Sequence, residues 1–137
     1  MIYLENNINL FKSVIELKKQ IDNNLEELAK SMRITSSELL VLLDVQLYPN
    51  TSLVDLCNRT GLKKSAVSKM IGRLEEEGLL VREVCPTSKR EVILNITDQF
   101  LAKEFCWNES IRILFPKSKN HEKTSKQIEN LTKVLKK

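Results

Sequence analysis

The side chains with the most chemistry to offer lie between residues 51 and 90. Val67, Met70, Ile71 and Leu74 recur at i, i+3, i+4 and i+7, which makes them the buried face of a helix over about 64–77. At about 100° per residue the opposite face carries Ser65, Lys69, Gly72 and Glu76, flanked by Ser68 and Arg73. Hydroxyl and ammonium groups crowd the first turns of that face, and acids gather at its last. Such groups exchange hydrogen bonds and neutralise anions. Ser65 and Ser68 suit the edges of bases, Lys69 suits guanine O6 and N7, and Arg73 suits a phosphate. Lys63 and Lys64 stand at the helix start and suit either. The bland alternative is the solvated face of an ordinary core helix, with Gly72 merely tolerated at about 1 kcal/mol relative to alanine.

The charge distribution leans towards a polyanion partner. The chain of 137 residues carries a net +4, and residues 58–90 alone hold eight cations against four acids. Those cations are Arg59, Lys63, Lys64, Lys69, Arg73, Arg82, Lys89 and Arg90. Residues 101–137 are basic as well, but a lysine-rich end is commonly just solvated.

Several classes fall away. There is no Ser/His/Asp set, Gly-rich phosphate loop or HExxH, and the single histidine, His121, sits in a polar stretch, so an enzyme is not expected. No metal or cofactor is expected on the same grounds. Cys57, Cys85 and Cys106 are odd in number and lack CxxC spacing, as in a reducing compartment. No apolar run approaches the roughly 20 residues of a membrane span, and the N-terminus has no signal-peptide pattern, so a cytoplasmic protein is expected.

The elements that must position the polar face follow from caps, breakers and periodicity. Residues 4–32 lack Pro and Gly and carry overlapping apolar stripes, which predicts one long helix with part of its face turned to another chain. Ser36 or Ser37 caps a second helix that stops before Pro49. Thr51 or Ser52 caps a short third through Thr60, with Leu53, Leu56 and Cys57 inward, and both caps count among the DNA-facing residues. Gly61 makes the turn into the helix over 64–77, and Gly78 ends it. Leu79 to Val84 and Glu91 to Ile96 read as a hairpin around CPTSKR, with Lys89 and Arg90 projecting from it. Thr97 and Asp98 begin a final pair of helices, about 98–115 and 120–136, parted by Pro116.

The stretch TSLVDLCNRTGLKKSAVSKMIGRLEEEGLLVREVCPTSKREVILNIT resembles the MarR-type core. Its matching elements are the helix pair through SAVSKMIGRLEEEGLL, the wing and the closing LNIT, aligned without a gap from Ser52 to Thr97. The resemblance implies a mainly α fold with a small β-hairpin wing, a winged helix-turn-helix over 36–97 flanked by dimerisation helices at 1–32 and 98–137. It implies a homodimeric transcription regulator on double-stranded DNA, a repressor by default, with one winged domain per half-site. Ser65, Ser68 and Lys69 would read the operator, and Lys89 or Arg90 would serve as the wing cation. A small ligand, often an anionic aromatic, would bind between the dimer and DNA-binding parts. The family wing usually reads D-P-x-D-R-R; here Cys85-Pro86-Thr87-Ser88-Lys89-Arg90 lacks both acids, which puts a fixed minor-groove contact in doubt.

Three features are left over. Cys57 fits a small core hydrophobe and Cys106 buried packing, whereas Cys85 is expected exposed, near Lys89 and Arg90, as a candidate redox site. Phe100, Phe105, Trp107 and Phe115 are expected in a dimer core, with Phe105 and Trp107 as the alternative lining of an effector pocket. A winged-helix protein-interaction module is the rival reading, and it should lack the basic face that this sequence keeps.

Overall fold

The computed structural model describes residues 2–101, 107–117 and 119–137; the side chains of 2–4, 89–90 and 107–108 lie outside the description. The elements run α1 (Ile2–Ser31), α2 (Ser36–Leu47), α3 (Leu53–Thr60), α4 (Lys64–Glu76), β1 (Leu80–Cys85), β2 (Ser88–Ile96), α5 (Trp107–Leu114) and α6 (His121–Leu135). The fold is mainly helical with one two-stranded antiparallel hairpin.

One apolar core holds α2, α3, α4 and the hairpin together. Val41, Leu42 and Val45 of α2 meet Leu56 of α3, Val67, Ile71 and Leu74 of α4, and Leu80 and Leu94 of the strands. The periodic set expected for α4 is therefore its buried face, with Met70 packed at the margin. Phe100 is fully buried in the same core. That corrects its assignment to a dimer core: the chain turns back after β2, and the Thr97 hydroxyl donates to the Gly78 carbonyl at 2.6 Å while accepting the Phe100 N–H at 3.2 Å. Gly78 occupies the left-handed region with φ +74, and a Cβ there would lie 3.0 Å from the Gln99 side chain, so this corner requires glycine.

Caps explain the helix boundaries. The N-cap of α2 is Thr35, not Ser36 or Ser37. Its hydroxyl accepts the Glu38 N–H at 3.1 Å, and Glu38 Oε1 accepts the Thr35 N–H at 3.0 Å, a reciprocal capping box. Ser52 caps α3 by accepting the Asp55 N–H at 3.1 Å, and Gly61 closes it at φ +75. Thr51 does something else: its carbonyl accepts the Leu94 N–H at 2.8 Å, adding a bridge to the base of the hairpin. Beside it Asn50 and Asn95 exchange two hydrogen bonds of 2.8 Å.

In the hairpin, Leu80 pairs with Ile96 and Val84 with Val92; an irregularity follows, and Cys85 pairs with Ser88. β2 thus begins at Ser88 rather than Glu91, and the backbone of Lys89 and Arg90 belongs to the strand instead of the turn. α1 forms the long helix expected, but only its last turns are sealed. Leu28 and Ala29 pack with Leu39 of α2 and with Ile113 and Leu114 of α5. Asn24 Nδ2 adds a 3.0 Å bond to the Leu114 carbonyl. Earlier in α1, Ile8, Leu10, Phe11, Ile15 and Leu17 stand exposed.

Candidate nucleic-acid interface

The core buries one face of α4 and so presents the other. Lys63, Lys64, Ser65, Ser68 and Lys69 are all exposed, on the N-terminal half of that helix. Among the described residues, none of these five side chains makes an intramolecular hydrogen bond or ion pair. α4 also differs from the two helices before it: Thr35 caps α2 and Ser52 caps α3, but no side chain caps α4 at Lys63. The first N–H groups of α4 therefore face outward without a side-chain partner, at the positive end of its dipole. Gly72, further along the same face, has no heavy atom within 4 Å of where a Cβ would stand.

Three of the four arginines of the basic stretch, Arg59, Arg73 and Arg82, are paired inside the molecule. Arg59 on α3 makes a two-pronged contact with Asp44 on α2, at 3.0 and 2.9 Å, and also donates to the Thr51 hydroxyl. Its guanidinium lies 4.1 Å from the centre of the Tyr48 ring. The hydrogen bond to Asp44 raises the pKa of Arg59 beyond its already high value, with desolvation opposing in part. Arg82 pairs with Glu75 at the end of α4, at 2.5 Å. Arg73 pairs with Glu38, whose residue is only 2% exposed. Among the described side chains of the stretch, Lys63, Lys64 and Lys69 are left to the solvent while Arg59, Arg73 and Arg82 meet carboxylates, a division that suits the match of a forked guanidinium to a carboxylate.

Two residues expected at the interface have partners inside the molecule. Thr51 is 6% exposed, with its hydroxyl held by Arg59 and its carbonyl by Leu94; bridging the hairpin takes it off the surface. Arg73 faces a carboxylate partner 35 residues away, a pairing that no local spacing signals. Ser52 remains half-buried at the start of α3 with its oxygen on Asp55, its hydroxyl hydrogen not committed to that bond. The side chains of Lys89, Arg90 and Trp107 and the whole of Phe105 and Cys106 lie outside the described residues.

Cys85 is half-buried rather than exposed, with its Sγ 3.2 Å from the Thr87 hydroxyl. That hydroxyl first, then the Thr87 backbone amide, lowers the pKa of the thiol. Cys57 packs at the margin of the core. Among the described residues no group of three or more His, Cys, Asp or Glu side chains is placed to hold a metal, and no helix is long and apolar enough to cross a membrane.

Residues 34–92 match the family model of the MarR family. Among curated proteins the chain is similar to HTH-type transcriptional repressor MdtR of Bacillus subtilis (strain 168), 26% identical over 87 residues, or 64% of this chain. The match spans 56% of that repressor's length. Among solved structures it is similar to AbfR of Staphylococcus epidermidis, with TM-score 0.75, 20% identity, and 97% of this chain and 92% of that one covered. Reduced AbfR bound to DNA gives TM-score 0.69 at 21% identity, covering 98% and 96%. Apo wild-type MarR from E. coli gives 0.68 at 20% identity, covering 93% and 96%. At these identities the solved structures establish a shared fold.

Proposed function

We propose that this chain, whose residues 34–92 match the MarR family model, is a MarR-type homodimeric repressor that sits on an inverted-repeat operator in double-stranded DNA. The observation that carries the reading is the N-terminal half of α4, exposed, without internal partners among the described residues and without a side-chain cap. Ser65, Ser68 and Lys69 face the bases in the major groove. Lys63 and Lys64 meet phosphates or bases, and the open helix N-terminus receives a backbone phosphate. Ser52 offers its hydroxyl hydrogen to a second phosphate, and Lys89 or Arg90 follows the neighbouring groove from the wing. The name of MdtR, a repressor, supports repression over activation.

Dimerisation is supported by the apolar side chains of Phe11, Ile15 and Leu17 on α1 and Ile128, Val134 and Leu135 on α6, all exposed in the single chain. A groove of about 460 Å³ between the end of α5 and α6, bordered by Ile111, Phe115 and Ile128, continues this surface. Two copies joined there would present their α4 helices to half-sites about one helical turn, ~34 Å, apart. For an effector, a cavity of about 510 Å³ between the ends of α1 and α4 carries Arg33 and the Glu38-paired Arg73, with Glu77 also at its wall.

Selection from a randomised duplex library, with footprinting and a salt titration of the winner, tests the proposal. An inverted repeat bound with an affinity that falls steeply with salt is the expected result. If no duplex is retained even at low salt, the interaction-module reading replaces it. A redox response at Cys85 is the second reading, favoured by the Thr87 contact that lowers its pKa. It is lost if Cys85→Ser and the wild type bind the selected duplex alike before and after peroxide.

A further inference from the structure

The partner of Arg73 changes what this residue does. Glu38 is a carboxylate almost wholly removed from solvent, and its Oε1 takes two donors. The Thr35 N–H is one, closing the capping box that starts α2; Arg73 Nη1, from the third turn of α4, is the other. Glu38 Oε2 is buried with no hydrogen-bond partner, so Arg73 is the one cation that compensates this charge among the described residues. The corner is itself tightly drawn. α1 ends with Arg33 in the left-handed region at φ +60, and the Ile34 N–H returns to the Ala29 carbonyl at 3.1 Å. One carboxylate thus ties the start of α2, a few residues past the exit of α1, to the back of α4.

We propose that Arg73 is a positioning residue of the DNA-reading helix, held by Glu38, and not a phosphate contact. The inference rests on the DNA-binding reading above. A buried charge compensated by one cation is satisfied in few geometries, so the pair sets the angle at which α4 leaves the α1–α2 corner. α1 extends from that corner to the exposed apolar surface, so the same pair carries the set of α1 to Ser65, Ser68 and Lys69. Arg73 acts through Glu38, and the two side chains behave as a unit.

Four proteins decide the matter: wild type, Glu38→Gln, Arg73→Gln and the double variant, in which the buried carboxylate and its half-exposed partner are both replaced by neutral amides. Each is titrated against the duplex selected by the wild type and against an unrelated duplex of equal length, from about 50 to 200 mM salt. Melting temperatures are recorded in parallel. Each single variant should weaken the selected duplex about tenfold, the weight of one well-placed base contact. The unrelated duplex should lose less, and the salt slope should match the wild type. The double variant should be no worse than the poorer single one, as coupled residues require. A salt slope reduced by about one in Arg73→Gln, with Glu38→Gln binding normally, overturns the inference in favour of a phosphate contact. Lower melting temperatures with unchanged affinity for the selected duplex overturn it in favour of a purely structural pair. A wild type that selects no duplex overturns the DNA-binding reading itself, and this inference with it.

Discussion

The two halves of α4 use the same helix for different ends. From Lys64 to Lys69 the exposed side chains have no internal partners among the described residues, and no side chain caps the helix. In the second half two polar groups are tied down: Arg73 to Glu38, and Glu75 to Arg82. Both halves share one buried stripe, Val67, Ile71 and Leu74. The anchored half holds the angle and the free half keeps its hydrogen-bonding capacity for a partner. A reading helix in which every polar group were satisfied internally would have nothing to offer a base. One in which none were would have no fixed direction.

The comparison breaks first at the stripe. Leu74→Ala should cost about 3–5 kcal/mol, since Leu74 is fully buried where α4 meets the core, and denaturant unfolding reads the loss directly. Both halves would fail together. Lys69→Ala should separate them: unfolding should stay within about 0.5 kcal/mol of wild type, while binding of the selected duplex weakens by about 1–3 kcal/mol. A stability change as large as the binding change would show that the free half is not free. Gly72 lies between the halves, and Gly72→Ala should stabilise the helix by about 0.5–1 kcal/mol, because no atom of the protein meets the added methyl. Weaker DNA binding by this more stable variant would place DNA against the helix backbone there; unchanged binding would leave Gly72 as a tolerated residue.

The smallest effect concerns the wing. The Thr87 hydroxyl and amide favour the Cys85 thiolate, so its alkylation rate should rise with pH through a midpoint below that of a thiol in a model peptide. Thr87→Val should move that midpoint up. An unchanged midpoint in Thr87→Val would detach the wing thiol from its neighbour and weaken the case for a redox response.

Much of the candidate site is legible in the sequence alone. The buried stripe of α4, the turn at Gly61, the stop at Gly78 and the polar face with Ser65, Ser68 and Lys69 all follow from repeats of three or four residues and from glycine at left-handed positions. The cap of α2 is less legible, because Thr35, Ser36 and Ser37 are all competent and only the Glu38 box selects Thr35. Thr51 looks like a surface cap in the sequence, but its bridge to Leu94 spans 43 residues. Phe100 lies near Phe105 and Trp107 in the chain, yet the Thr97 corner sends it into the winged-helix core.

By itself, the sequence determined the helices, their ends and which face each one buries, because those depend on neighbours within a turn or two. It also determined that a basic stretch exists. Only the tertiary structure decided how that stretch is divided, with Arg59 on Asp44, Arg73 on Glu38 and Arg82 on Glu75. Whether a cation serves a carboxylate or the solvent depends on which helix the core brings opposite it. That choice is made by packing across 15 and 35 residues for the first two pairs, distances at which a single sequence carries no periodic signal.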